Sequence, residues 1–140
     1  MPNKLSVRII TPEKVVFARD VDSLSVPGAD GEIQMLPEHI PLFSITKPGR
    51  VVAQNGDESS VYVVGPGFLE ISNNEVSLLV DTADGKDDID IEEAKAMLAD
   101  AEDKLKSIES IDVEERFAFE TQLATARAQV EVYRRAEDKD

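Results

Sequence analysis

The sequence predicts a β + α fold: an N-terminal antiparallel β-sandwich, or flattened barrel, over residues 1–85, followed by an antiparallel two-helix hairpin over residues 86–140. Three observations carry this prediction. All seven prolines lie at or before Pro66 and all seven glycines at or before Gly85, so the structure breakers stop abruptly. Up to that point apolar residues recur at every second position in short runs. Beyond it they recur at steps of three and four, in a stretch filled with Ala, Glu, Asp, Lys and Leu.

Taken in order, the strand-period runs are Leu5, Val7 and Ile9; Val15 and Phe17; Leu24 and Val26; Ile33 and Met35; Val61 and Val63; Leu69 and Ile71; and Val76, Leu78 and Val80. Turn chemistry separates them. "TPEK", "VPGADG" and "TKPG" supply tight reversals, "QNGD" an Asn-Gly turn and "SNNE" a polar hairpin tip. Val15 and Phe17 occupy odd positions but Leu24 and Val26 even ones, which places a bulge or bend near Asp20. Many short strands at this spacing form a sandwich or a flattened barrel.

In the second segment, Ile91, Ala94, Leu98, Ala101, Leu105 and Ile108 form one helical seam, and Phe119, Leu123, Ala126, Val130 and Tyr133 a second. Each helix opens with a capping box, Asp90 with Glu93 and Asp112 with Glu115, and the short "SIESID" connection makes the pair antiparallel. Alanine in the seams lets the helices approach closely but buries little area per layer. At about 25 cal/mol for each Å² removed from water, the hairpin is only weakly held and is suited to docking in more than one place.

Composition excludes several functions. A formal charge of −14 opposes phosphate backbones and anionic lipid headgroups, so nucleic acid is not an expected partner. The chain has no cysteine, which removes disulfides, thiolate nucleophiles and cysteine-based metal sites. No apolar stretch is long enough to span a bilayer, and residues 1–10 lack the blocks of a signal peptide, so direct membrane insertion is not expected.

The search for catalytic chemistry is negative. One histidine without cysteine supplies no convincing nucleophile relay, and no serine stands in a G-x-S-x-G elbow. With Gly85 at the sixth position of a calcium loop, the first would be Val80 and the twelfth Ile91, neither of them a ligand. "GPGFLE" has two glycines of a dinucleotide fingerprint but no surrounding βαβ unit, and reads as a strand-entry turn. No metal site or cofactor is expected, and the abundant carboxylates read as a solvated face.

The sole histidine, His39, lies in "GEIQMLPEHIPLF" between Pro37 and Pro41. A histidine there is either satisfied by neighbouring backbone groups or presented to a partner. The prolines stiffen the loop, and Gly31 lets the chain reverse just before Glu32, which favours a recognition surface over a reactive one.

"VRIITPEKVVF", "VDSLSVPGADGEIQMLPEHIPLFSITKPG", "GFLEISNNEVSLLVDTA" and the two alanine-rich helices together resemble the epsilon subunits of bacterial F-type ATP synthases, called delta in mitochondria. The specific G-E-x-G-x-x-P-x-H-x-P-L pattern is matched by Gly31, Glu32, Pro37, His39, Pro41 and Leu42, and the G-F-x-E pattern by Gly67, Phe68 and Glu70. The chain departs from the family at Gln34 and at Glu38, where glycine is usual.

The resemblance implies a non-catalytic central-stalk rotor subunit that couples the catalytic head to the proton-driven c-ring. It would sit peripherally at the cytoplasmic face of the bacterial plasma membrane. The resemblance assigns partner binding to Glu32, His39 and Leu42, with Glu32 facing the polar loops of the c-ring and His39 near the gamma subunit. It also implies a hairpin that either folds against the sandwich or extends toward the catalytic alpha and beta subunits and hinders ATP hydrolysis. Some family members bind ATP through an I/L-D-x-x-R-A motif. Here "IDIEEA" keeps Ile89, Asp90 and Ala94 but has Glu93 in place of the arginine, which argues against ATP as a ligand; Arg127, Arg134 and Arg135 compensate only in part.

Pattern alone leaves two other classes open. A free-standing ligand-binding sandwich would need a concave apolar pocket and no helices. A holdase that joins a β body to a coiled coil would need several copies and apolar helix tips, where this chain has only Ile108 and Ile111.

Overall fold

The computed structural model describes residues 4–107 and 113–138. Ten strands come first: β1 (Leu5–Ile10), β2 (Val15–Val21), β3 (Ser23–Gly28), β4 (Gly31–Met35), β5 (Leu42–Thr46), β6 (Gly49–Asn55), β7 (Glu58–Val64), β8 (Gly67–Ser72), β9 (Glu75–Val80) and β10 (Ala83–Gly85). A 3-10 turn over Lys86–Asp88 leads to helices α1 (Ile91–Ser107) and α2 (Val113–Asp138). The SIESID connection beyond Ser107 and the Asp112 cap lie outside the described residues.

The strands form one curled sheet in the order β10-β7-β6-β3-β5-β8-β9-β1-β2, with β4 paired to β3 off this path. β3 is the corner strand. Its first half pairs with β6 from Ser23 opposite Gln54, and its last residue, Gly28, stands opposite Thr46 of β5. Curling brings the two ends together, where Phe17 of β2 meets the edge of Tyr62 of β7 at 5.6 Å between ring centroids. The alternation read from sequence points inward: Leu5, Val7, Ile9, Leu24, Val26, Met35, Leu69, Ile71, Val76 and Leu78 are all buried in one core. One pair departs from the antiparallel expectation, since β1 runs parallel to β9.

The bend expected near Asp20 is resolved into two features. The register between β1 and β2 shifts between Ile9, opposite Phe17, and Ile10, opposite Val15, so Val16 is the extra residue of a bulge. The change of parity comes later, at Asp22, where β2 passes into β3 and Asp22 N–H donates to the Gln54 carbonyl. The hairpin tips follow the turn residues. Asn73 and Asn74 both adopt positive φ, as a two-residue hairpin loop requires, and Gly56 does so between β6 and β7. Gly67 opens β8 because a Cβ there would fall 1.9 Å from the Leu79 carbonyl oxygen.

Asp90 caps α1, with the Glu93 N–H donating to its Oδ1 at 3.1 Å. The seams close on alanines: Ala94 and Ala101 of α1 and Ala126 of α2 are buried, and Gln122 Nε2 donates to the Met97 carbonyl across the pair. The hairpin is docked, with α2 against β6 and β7. Gln129 Nε2 donates to Asp84 Oδ2 at 3.3 Å, and Val132 is buried beside Gly49 and Arg50.

Candidate partner-binding site

His39 follows a sharp reversal in the link between β4 and β5. Glu38 is left-handed, with φ 72°, which accounts for the glycine usual at this place. His39 N–H donates to the Leu36 carbonyl at 3.2 Å, and its Nδ1 lies 2.7 Å from the Ile40 carbonyl oxygen. That oxygen only accepts, so Nδ1 carries a proton, and in the neutral ring Nε2 is the acceptor. Backbone thus satisfies one ring nitrogen, while the half-buried ring lines a surface notch. Glu38, His39, Pro41, Asn73 and Asn74 line that notch, of about 270 Å³.

The notch borders the outer face of β5, β8 and β9. Strand register sets Ile45 opposite Phe68 and Phe68 opposite Leu79, so the three side chains form one cross-strand row. Phe43 stacks on Phe68 at 5.8 Å between centroids. These four residues are 48% to 65% exposed, and Ile40 beside the notch is 74% exposed. They form a contiguous exposed apolar patch on an otherwise acidic chain. Arg8 and Glu70 flank the apolar row, both standing opposite Ser77.

The three residues assigned from the resemblance do not form one cluster. Glu32 is exposed at the start of β4, at the opposite end of that strand from His39, in a depression shared with Pro27, Lys47, Pro48, Arg50 and Glu131 of α2. Lys47 and Arg50 give this end mixed charge. Leu42 turns inward and packs against the core, while its neighbour Phe43 faces out. Phe43, Ile45, Phe68 and Leu79 were not singled out from the sequence as contact residues. Their signal was the doublets Leu42-Phe43, Phe68-Leu69 and Leu78-Leu79, because adjacent apolar residues in a strand load both of its faces.

At the degenerate nucleotide motif, the Asp90 carboxylate is engaged in the helix cap and the exposed Glu93 stands one turn into α1. Among the described residues no group of three or more His, Asp or Glu is placed to hold a metal ion, and no helix is long and apolar enough to cross a membrane.

The profile of the family described as "ATP synthase, Delta/Epsilon chain, beta-sandwich domain" matches residues 4–86. A sequence described as "ATP synthase epsilon chain" from Citrifermentans bemidjiense is 36% identical over 132 residues, covering 94% of this chain and 95% of its own length. This chain belongs to the ATP synthase delta/epsilon-chain family. A second epsilon chain, from Desulforamulus reducens, is 46% identical over 99 residues, covering 71% of this chain and 75% of its own. The family profile ends where the strands end, whereas the Citrifermentans epsilon chain is matched through the helical segment as well.

The fold likeness reaches further than the sequence. A chain of the Euglena gracilis mitochondrial ATP synthase structure containing OSCP, F1 and c-ring superposes with a TM-score of 0.77 at 20% identity, covering 91% of this chain and 80% of that one. A chain of the Tetrahymena thermophila mitochondrial ATP synthase central stalk and c-ring gives 0.64 at 14% identity, covering 94% and 97%.

Proposed function

We propose that this chain is a non-catalytic central-stalk subunit of an F-type ATP synthase, carried peripherally at the cytoplasmic face of the bacterial plasma membrane. Its sandwich attaches the gamma subunit to the c-ring, and its hairpin tempers ATP hydrolysis by moving between the docked position and the catalytic alpha and beta subunits. The observation that carries this reading is the exposed apolar face of β5, β8 and β9, with the His39 notch at its edge. Such a face supports stable burial against a large partner. His39 and the apolar row meet gamma in this proposal. Glu32, at the far end of β4, meets the polar loops of the c-ring.

The test is replacement of Phe43 and Phe68 together by serine. Both side chains are half or more in water, so thermal stability should change little. Affinity for a purified rotor of gamma and c-ring should fall at least tenfold, the scale of losing buried aromatic anchors. Unchanged affinity would refute this face as the attachment surface.

A further inference from the structure

The non-glycine residues with positive φ among the described residues are Glu38, Asn73 and Asn74, at 72°, 52° and 63°, and all three line the His39 notch. The two asparagines need no special explanation, because a two-residue hairpin loop between Ser72 and Glu75 demands that conformation. Glu38 is the third residue of the Leu36–His39 turn, which Pro37 opens and the His39 N–H to Leu36 carbonyl bond closes; that position favours glycine, and the Glu38 Cβ meets the steric penalty of the left-handed region. Strain of this kind persists only where neighbours over-determine it.

Asn74 reinforces the turn. Its Oδ1 accepts the Glu38 N–H at 2.7 Å and its Nδ2 donates to Glu38 Oε1 at 3.4 Å, so one amide grips both the backbone and the side chain. Asn74 is itself anchored, since its carbonyl accepts the Ser6 N–H from β1 at 2.8 Å. Residue 38 sets the direction in which the chain enters residue 39. With Glu38 held, His39 N–H reaches Leu36 and the ring Nδ1–H reaches the Ile40 carbonyl.

We propose that Asn74 is a positioning residue for partner recognition: its side-chain amide holds Glu38 left-handed and thereby fixes His39 as the Nδ1–H tautomer, so that the notch offers Nε2 to a hydrogen-bond donor of the central-stalk partner. The clamp stands on the geometry of the isolated chain, while its use in recognition rests on the proposed function. Asn74 replaces by a side chain what a glycine at residue 38 would supply by conformational freedom.

The test uses untagged full-length chain, in which His39 is the only imidazole, so ring 15N shifts at pH 8 report its tautomer directly. Asn74→Gly removes the amide without straining the turn. It should convert a single Nδ1–H species into a mixture containing Nε2–H, and should weaken affinity for the gamma and c-ring rotor about tenfold, the size of one left-handed penalty. Adding Glu38→Gly to that variant should restore both the tautomer and the affinity to within about twofold. An unchanged tautomer in Asn74→Gly, or failure of Glu38→Gly to rescue it, overturns the clamp. If the tautomer responds as expected while His39→Ala leaves rotor affinity unchanged, the clamp is upheld and the role given to His39 in partner contact is overturned.

Discussion

Asp22 shows how one side chain secures the corner of the sandwich. Its Oδ2 accepts the Gly56 N–H at 2.6 Å and its Oδ1 pairs with Lys4 Nζ at 2.9 Å, joining the β2–β3 corner to the tip of the β6–β7 hairpin. The backbone donor first, and Lys4 second, hold its carboxyl below the ordinary value of 3.8. A lowered value means that the stabilisation is fully present above 3.8 and is lost as pH falls through the folded-state value. Asp22→Asn should therefore melt below the parent chain at pH 7, and the gap should close as pH drops below 3.8; thermal melts across pH 2–7 check this. At this scale the sequence was only partly legible. Leu5, Val7 and Ile9 announced their burial by alternation, but the left-handed Glu38 did not, because a glutamate stands at the turn position that favours glycine and the side chain that steadies it, Asn74, lies 36 residues away.

Among the elements, α2 is the one the sequence described least completely. A single seam through Ala126, Val130 and Tyr133 suffices for a hairpin, yet α2 carries a second buried stripe in which Val132 meets the sandwich and Ala124 and Ala128 line the junction. Small residues conceal such a stripe, because alanine is equally at home on a solvated helix face. The junction borders an open surface cavity of about 240 Å³. Burying Val132 contributes on the order of 1.5–3 kcal/mol. Val132→Asp forfeits this and adds the cost of desolvating a carboxylate, so α2 should exchange its amide hydrogens at least tenfold faster while protection in β8 and β9 stays unchanged. Equal loss of protection in helix and strands would show that the two do not separate.

The same hairpin bears on nucleotide binding. Because the Asp90 carboxylate caps α1 and Glu93 stands where the motif has arginine, millimolar ATP should leave hydrogen exchange in the hairpin of the isolated chain unaltered. Saturable protection by ATP would mean that other basic residues complete a site.

On the scale of the whole molecule, the change of period at Gly85 made the layout of strands and helices readable. The path of the sheet was not readable, since β5 and β6 carry apolar residues on both faces or in unbroken runs and give no clean alternation. The core cluster draws every member from residues 5–83 and none from the helices, which supports residues 1–85 as a unit that stands without the hairpin. Chain lacking residues 86–140 should fold, join the rotor and sustain synthesis, with ATP hydrolysis by the complex equal to or above that of the full-length assembly. A truncated chain that fails to fold would remove the basis for a movable arm.

The claim that organises this account is that the apolar face of β5, β8 and β9 is seated on the gamma subunit. A photoreactive benzoyl-phenylalanine at position 68 preserves the aromatic character of that face and reports its neighbour in the assembled ATP synthase. Irradiation should crosslink this chain to gamma in high yield. A crosslink to the c-ring alone, or none in a fully assembled complex, would contradict the account.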